Sequence, residues 1–214
     1  MDFLKDWWVD WRMDWPFIEF EGKATDFSAD YAGTLPAFFA DLEATDPEIR
    51  KEYYGEQLYD LLLTMVIHRD MASIRRLFDL CPGWNGRGSI EGLTPAGQAL
   101  ENRDYPCLRF LLEKGADTEY YDQSNTLLEV AIYDGLGWDV YEMLLQAGAG
   151  FTLKLLLTLA EDGNRELIEK IFTKATWVHY DSREGLIAEA VSEVESDQAA
   201  GLCGPETLEL LKSL

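Results

Sequence analysis

The sequence predicts an all-α protein built as an array of helix pairs. Leucine-rich segments recur along the chain at nearly equal intervals, which is the signature of a repeat architecture. Within each segment apolar residues stand at i, i+3 and i+4, the spacing of one helix face. The chain has 214 residues, of which 47% are hydrophobic and 13% aromatic, enough to bury a core.

The first fifteen residues predict an amphipathic helix that ends at Pro16. Aspartates and aromatic residues each recur at a step of four, so each set keeps to one broad helix face. Such a helix can cap the apolar face of the first repeat; alternatively, some tryptophans stay exposed as anchors for a partner. The two rows are Asp2, Asp6, Asp10 and Asp14, and Phe3, Trp7, Trp11 and Trp15.

Residues 16–34 carry glycines and alternating aromatic residues, and they predict irregular structure or short strands. A short helix is expected over residues 35–42, and Asp46 is expected to N-cap the next one. We therefore predict an N-terminal capping region over residues 1–52 and repeats with a degenerate C-terminal cap over residues 53–214.

The central repeat starts with a helix that Thr94 can N-cap, with Pro95 at the first helical position, where its missing N–H costs nothing. Gly115 can take the left-handed conformation that ends the second helix. The apolar face of that second helix consists of Leu108, Leu111 and Leu112.

The same pattern recurs on both sides of this repeat. The interval from Thr94 to Thr126 and the interval from Leu111 to Leu144 differ by a single position. Before the central repeat, Ile74 precedes Leu108 by nearly the same interval. After it, residues 159–172 predict a fourth pair. This pair follows the third too closely for a full-length finger, the loop that connects one repeat to the next. Residues 186–211 predict a C-terminal cap.

The segments Gly92-Leu93-Thr94-Pro95-Ala96 and Leu111-Leu112-Glu113-Lys114-Gly115-Ala116-Asp117 resemble the ankyrin repeat. The resemblance implies about four degenerate ankyrin-type repeats and a protein-binding role, in which finger tips and the inner helix surface contact the partner. The histidine of the family pattern is absent, and Gly97 and Glu129 stand near its place. This departure leaves open how neighbouring repeats are hydrogen-bonded to one another.

Carried over position by position, the resemblance implies partner contacts at the fingers and at the ends of the inner helices. Two adjacent tyrosines in one finger are the most informative, because tyrosine offers a large contact area and a polar tip; they could equally pack against the neighbouring finger. The expected partner-binding residues are Trp84, Arg87, Glu101, Asn102, Glu119, Tyr120, Tyr121, Asp122, Tyr133, Asp134, Glu161 and Asp162.

The chain is strongly acidic, with 18 Lys+Arg against 40 Asp+Glu and a net charge of −22. This charge argues against binding to nucleic acid or to an anionic membrane, which both require a basic face. It is uneven: residues 1–60 carry −10, residues 61–120 carry −1, and residues 121–214 carry −11. The charge favours a protein partner with a basic surface, or it serves only solubility.

No catalytic constellation is visible in the sequence. His68 and His179 have no second histidine at metal-ligand spacing, and the Gly-rich residues 83–89 lack the Gly-Lys-Ser/Thr of a phosphate-binding loop. We therefore expect no enzyme activity, no cofactor and no metal. Three cysteines without a CxxC pair, and a start without a signal peptide or membrane span, predict a cytoplasmic protein.

Small, acidic proteins without catalytic residues resemble bacterial immunity proteins, which neutralise a toxin. The sequence therefore predicts an inhibitor of a basic protein partner, as a monomer or a heterodimer with that partner. An acidic decoy or an effector that binds host proteins is the alternative, and an enzyme is a third possibility that would need a carboxylate with a strongly shifted pKa in a pocket.

Overall fold

The structure is a computed structural model, and it describes residues 18–20, 23–25, 31–50, 56–86, 93–119, 125–177, 180–199 and 204–214. These residues are mostly helical, which confirms the all-α class. The chain divides into two compact units, residues 1–84 and 85–214. The predicted boundary after residue 52 is therefore not the boundary between compact units, because helices on both sides of it pack together in the first unit. The assignment of residues 1–52 as a cap stays a prediction.

The first described elements of the N-terminal unit are two short strands, β1 (Ile18–Phe20) and β2 (Lys23–Thr25), which pair antiparallel. They agree with the short strands predicted within residues 16–34, whereas the helix predicted over residues 1–15 lies outside the described residues. The helices that follow are α1 (Tyr31–Ala44), α2 (Pro47–Arg50), α3 (Glu56–Ile67) and α4 (Met71–Leu80). Helix α1 begins a full turn before the short helix predicted there.

Helix α1 packs against α4 through one apolar face. The Arg76 guanidinium of α4 lies 4.4 Å from the centroid of the Phe39 ring and pairs with Glu43 at 2.6 Å. The α1 side of the contact is a stripe at helical spacing, and it consists of the buried Leu35, Phe38, Phe39 and Leu42.

A hydrogen-bonded cluster joins the starts of α1 and α4. Asp70 N-caps α4 by accepting from the Ser73 N–H at 3.1 Å, and it also accepts from the Ser73 hydroxyl and from the Tyr31 hydroxyl at 2.6 and 2.9 Å. Burial acts to raise the pKa of Asp70, but these hydrogen bonds outweigh it and lower that pKa below its ordinary value. Burial, together with the hydrogen bond to Asp70, raises the pKa of Tyr31.

The second unit is a series of helix pairs, in which each first helix is followed by a second helix. This confirms the predicted pairs, including the fourth pair and the C-terminal one. The pairs are α5 (Pro95–Glu101) with α6 (Tyr105–Glu113), α7 (Leu127–Tyr133) with α8 (Trp138–Gln146), α9 (Leu153–Glu161) with α10 (Arg165–Phe172), and α11 (Arg183–Ala199) with α12 (Pro205–Lys212).

Threonine N-caps three consecutive first helices. Thr94 and Thr126 cap α5 and α7, as the sequence predicted, and Thr152 caps α9. Each threonine hydroxyl accepts a hydrogen bond from the backbone N–H three residues later, which satisfies one donor that the helix itself leaves unpaired. These donors belong to Gly97, Glu129 and Leu155, at 2.9, 3.2 and 3.1 Å.

Glu129 links two of these caps. Its side chain is buried, with 2% of its surface exposed, and it accepts from the Thr126 N–H at 2.9 Å to complete a capping box. Its other carboxylate oxygen accepts from the Thr152 hydroxyl, which caps the next first helix. A carboxylate at this position therefore hydrogen-bonds neighbouring pairs to each other.

The second unit also contains a parallel pair of short strands that the sequence did not predict. Strand β3 (Gly150–Phe151) pairs with β4 (Thr176–Trp177), and each follows closely after a second helix. Two residues are too few to show the alternation that identifies a strand. At the C-terminal end, the Arg165 guanidinium donates to the Ser213 carbonyl at 2.9 Å and thereby ties α10 to the end of α12.

Candidate partner-binding surface

The turn between the two helices of a pair has the same backbone hydrogen bonds in the first three pairs of the second unit. After α5, the N–H groups of Asp104 and Arg103 donate to the Ala99 and Leu100 carbonyls, both at 2.9 Å. These are the two bonds of a Schellman helix end. The equivalent bonds after α7 and α9 join Leu136 to Ala131, Gly135 to Ile132, Asn164 to Leu159 and Gly163 to Ala160.

In each of these turns the residue after the C-cap lies in the left-handed region, and the longer turn after α7 also contains Gly137 with φ of 94°. Gly135 and Gly163 have φ of 62° and 68°, and Arg103 takes the same role with φ of 52°. Because the geometry repeats, the last residue and the C-cap of α5, α7 and α9 occupy equivalent positions in their pairs. The structure thus brings half of the predicted partner-binding residues to one kind of position.

Those positions are largely exposed and mostly acidic. The last residues of the three helices are Glu101, Tyr133 and Glu161, and all are exposed. The C-caps are Asn102, Asp134 and Asp162, of which Asn102 is half-buried and the other two are exposed. Gln98 donates to Glu101 at 3.2 Å, which fixes that carboxylate locally.

Tyr133 stands out among the described residues as a large apolar side chain that is exposed, with 44% of its surface accessible. The Lys154 ammonium of α9 lies 6.0 Å from the centroid of its ring, at the outer limit of a cation–π contact. Lys154 also donates to Asn125 at 2.7 Å. These contacts, with the Glu129–Thr152 bond, show that α7 and α9 are direct neighbours.

Half-buried apolar side chains share this face. Val130 lies one turn before Tyr133 on α7, and Leu157 lies one turn after Lys154 on α9, so each pair of residues points the same way. We group these side chains with the exposed residues at the ends of α5, α7 and α9 and call the group the helix-end surface. It consists of Glu101, Val130, Tyr133, Asp134, Lys154, Leu157, Glu161 and Asp162.

Trp84 does not lie at the exposed finger position that the resemblance implies, and its contact with a partner stays a prediction. Its side chain is buried, with 8% of its surface exposed, and its ring stacks on Phe78 with centroids 5.2 Å apart. Trp84 follows the end of α4, and burying its large apolar ring against that helix removes more apolar surface from water than an exposed finger position would.

Glu119 has an internal role in the structure. It is half-buried, and its carboxylate accepts from the Gly150 N–H at 2.9 Å and from the Thr118 hydroxyl at 3.3 Å. These bonds hold its segment against β3. The remaining finger residues of the prediction, Arg87, Tyr120, Tyr121 and Asp122, lie outside the described residues, so their role stays a prediction.

Sequence reasoning anticipated neither the contact of Lys154 with Tyr133 nor the bond between Glu129 and Thr152. The fourth pair was predicted from residue 159 onward, whereas α9 begins at Leu153. The signal was present in Thr152, which stands three residues before Leu155 as Thr126 stands before Glu129. Recognising that cap would have placed Lys154 on the first turn of α9.

The histidine prediction can be checked at His68, which follows α3 and is exposed, as expected. Its ring stacks on Tyr31 with centroids 4.2 Å apart. His179 lies outside the described residues. Among the residues that the structure describes, no three His, Cys, Asp or Glu side chains come together as a metal site would require.

No model of a known protein family matches the chain, and no curated protein matches it. Within the described ranges, no helix has the length and apolar character that crossing a membrane requires.

Proposed function

We propose that this chain is a non-catalytic protein-binding module of the ankyrin type that inhibits a basic partner, such as a toxin. The observation that carries this proposal is the helix-end surface, in which exposed acidic and aromatic side chains recur at equivalent positions of three consecutive helix pairs. Glu101, Tyr133, Asp134, Glu161 and Asp162 of this surface are exposed, so they are accessible to a partner.

Several local features support the ankyrin-type arrangement. Short first helices capped by threonine, second helices of 8 or 9 residues, and two-residue strands after the second and third pairs follow one another along the second unit. Glu129 supplies a hydrogen bond between neighbouring pairs, a role for which the family uses its histidine. The repeated Schellman hydrogen bonds end α5, α7 and α9 with the same backbone geometry.

The charge of the helix-end surface supports a basic partner. It contains four carboxylates, on Glu101, Asp134, Glu161 and Asp162, against one ammonium, on Lys154. Complementary charge accelerates encounter between proteins and disfavours acidic competitors, and its effect falls with ionic strength. An inhibitor that covers a phosphate-binding site on its target requires this property.

The experiment starts by capturing the partner on the immobilised full chain from an extract of the source cells and identifying it by mass spectrometry. Binding of that purified partner is then measured for a variant that replaces Glu101 and Glu161 by Gln, and Asp134 and Asp162 by Asn. We expect affinity at low salt to fall about tenfold, as four exposed ion pairs would give, mostly through slower association.

The matched control removes four exposed charges elsewhere in the second unit, as E113Q, E166Q, E184Q and E209Q. It should keep most of the affinity. Equal losses in the two variants, or association that is insensitive to salt, would contradict the proposal. The alternative of an acidic decoy depends on Asp2, Asp6, Asp10 and Asp14, which lie outside the described residues, and no observation of the structure favours it.

A further inference from the structure

We propose that the first turn of α1, residues 31–34, is a strap that opens on its own, with Pro36 as its hinge and Tyr31 as its latch. When the strap is closed, it covers part of the turn between α3 and α4, and when it opens, that part becomes accessible. All of these residues belong to the N-terminal unit, so the strap is independent of the function proposed for the second unit.

Tyr31 is the side chain that holds the strap closed. Its ring stacks on the His68 ring with an angle of 11° between the two planes, and its hydroxyl donates to the Asp70 carboxylate at 2.9 Å. His68 and Asp70 both lie in the turn between α3 and α4. The next two residues of the strap, Ala32 and Gly33, are exposed. Tyr31 therefore ties the strap to this turn.

Pro36 weakens the connection between the strap and the rest of α1. A proline inside a helix has no N–H, so the Ala32 carbonyl loses the donor that normally stands four residues later. The proline ring also crowds that carbonyl, which favours a kink at this point. Gly33 lowers the helix propensity of the strap further. The helical form of the strap therefore depends on the Tyr31 contacts more than on its own backbone.

The part of α1 beyond Pro36 is anchored separately. Phe38 and Phe39 are buried, and Arg76 of α4 contacts both the Phe39 ring and the Glu43 carboxylate. These contacts join α1 to α4 without the strap. Opening of the strap consequently breaks the Tyr31 contacts and leaves the interface between α1 and α4 in place. Local opening of this kind requires less free energy than unfolding of the whole unit.

The turn beneath the strap has the same backbone geometry as the turn after α5. The Asp70 N–H donates to the Met65 carbonyl at 2.9 Å, and the Arg69 N–H donates to the Val66 carbonyl at 3.0 Å, which are the two bonds of a Schellman end. Arg69 has φ of 56°, against 52° at Arg103. A partner that contacts the covered part of this turn must displace the strap, so its apparent affinity scales with the fraction of molecules in which the strap is open.

The test is amide hydrogen exchange, followed residue by residue by NMR in the full chain. Leu35 reports on the strap, because in an α-helix its N–H donates to the Tyr31 carbonyl, and the buried Leu42 reports on the rest of α1. The Y31F variant removes the hydroxyl and keeps the ring. We expect exchange at Leu35 to become about tenfold faster, the factor that a hydrogen bond to a charged group contributes, and exchange at Leu42 to stay the same.

The hinge is tested by P36A, which should slow exchange at Leu35 because alanine restores a donor to the Ala32 carbonyl. The matched control is P47A. Pro47 occupies the first position of α2, where a missing N–H costs nothing, so this variant should leave exchange at Leu35 unchanged.

Equal acceleration at Leu35 and Leu42 in Y31F would overturn the proposal, because α1 would then open as one piece. Unchanged exchange at Leu35 in Y31F would overturn it as well, because the Tyr31 hydroxyl would then not hold the strap. If P36A slows exchange at Leu35 no more than P47A does, Pro36 is not the hinge and the proposal is wrong in that respect.

Discussion

Replacing Glu129 by alanine should destabilise the second unit by about 3 kcal/mol, because the buried carboxylate accepts hydrogen bonds from the Thr126 N–H and from the Thr152 hydroxyl. Alanine leaves both donors without this acceptor. An unsatisfied buried donor costs about 1 to 3 kcal/mol, so two of them account for most of the expected loss. The lost side-chain packing adds to it.

Glutamine at the same position should cost about 1 kcal/mol or less, because its amide can still bond to both partners. The amide oxygen can accept from the Thr126 N–H. The amide nitrogen can donate to the Thr152 oxygen, which has a second lone pair beside the one that accepts from Leu155. The difference between alanine and glutamine therefore isolates the hydrogen bonds from the volume and the charge of the side chain.

The assay is urea unfolding followed by circular dichroism, with amide hydrogen exchange at Leu155 as a local probe of the α9 cap. A double-mutant cycle of E129A with T152A should give a coupling free energy of about 1.5 to 3 kcal/mol, typical of hydrogen bonds to a charged group. Thr152→Ser is the control, because serine keeps both the cap and the bond to Glu129.

The reasoning would be refuted by a loss of less than about 1 kcal/mol in E129A. A coupling free energy near zero would have the same meaning, because it would show that Glu129 and Thr152 stabilise their helices independently. In that case the connection between neighbouring pairs would depend on apolar packing alone.

Three further predictions follow from local geometry. Arg103→Gly should stabilise the second unit by up to about 1 kcal/mol, because glycine adopts the left-handed conformation of this position without strain. Gly163→Ala should destabilise the unit by a similar amount for the opposite reason. The midpoint of urea unfolding measures both effects. The pKa of Asp70 is lowered in the folded chain, so its contribution to stability is present above about pH 4 and is lost as pH falls below that. The difference between the unfolding temperatures at about pH 3 and about pH 6 should therefore be smaller in Asp70→Asn than in the unmodified chain. Trp84→Ala should cost about 3 to 5 kcal/mol in urea unfolding of the N-terminal unit and leave partner affinity unchanged, and a loss of affinity without a loss of stability would restore the original prediction for this residue.

The local rules of helix formation were readable from the sequence where one side chain acts on its own neighbours. Thr94 and Thr126 cap their helices, and Gly115 ends α6 in the left-handed region with φ of 92°, as predicted. Each of these effects acts within a single helical turn of the chain. They were therefore visible without knowledge of the tertiary contacts.

The candidate site was predictable only in part. Exposure at Glu101, Tyr133, Asp134, Glu161 and Asp162 agrees with their expected place at helix ends. Trp84 was expected to be exposed because its position in the sequence does not show whether its ring points outward or stacks on Phe78 of the preceding helix. Lys154 was missed because its contact with Tyr133 joins two different helices, far beyond the reach of any local pattern.

The sequence by itself determined the helical class, the succession of helix pairs and the acidic character, because periodicity, caps and charge are properties of short segments. Only the tertiary structure decided that Glu129 joins two caps, that β3 pairs with β4, and that Trp84 is buried. Each of these three features depends on which residues, distant in the sequence, lie next to one another in the fold. The packing of whole helices determines those contacts. The helix-end surface depends on both: the local turns give Glu101, Tyr133 and Glu161 equivalent positions, and the packing of α7 beside α9 brings Lys154 near Tyr133.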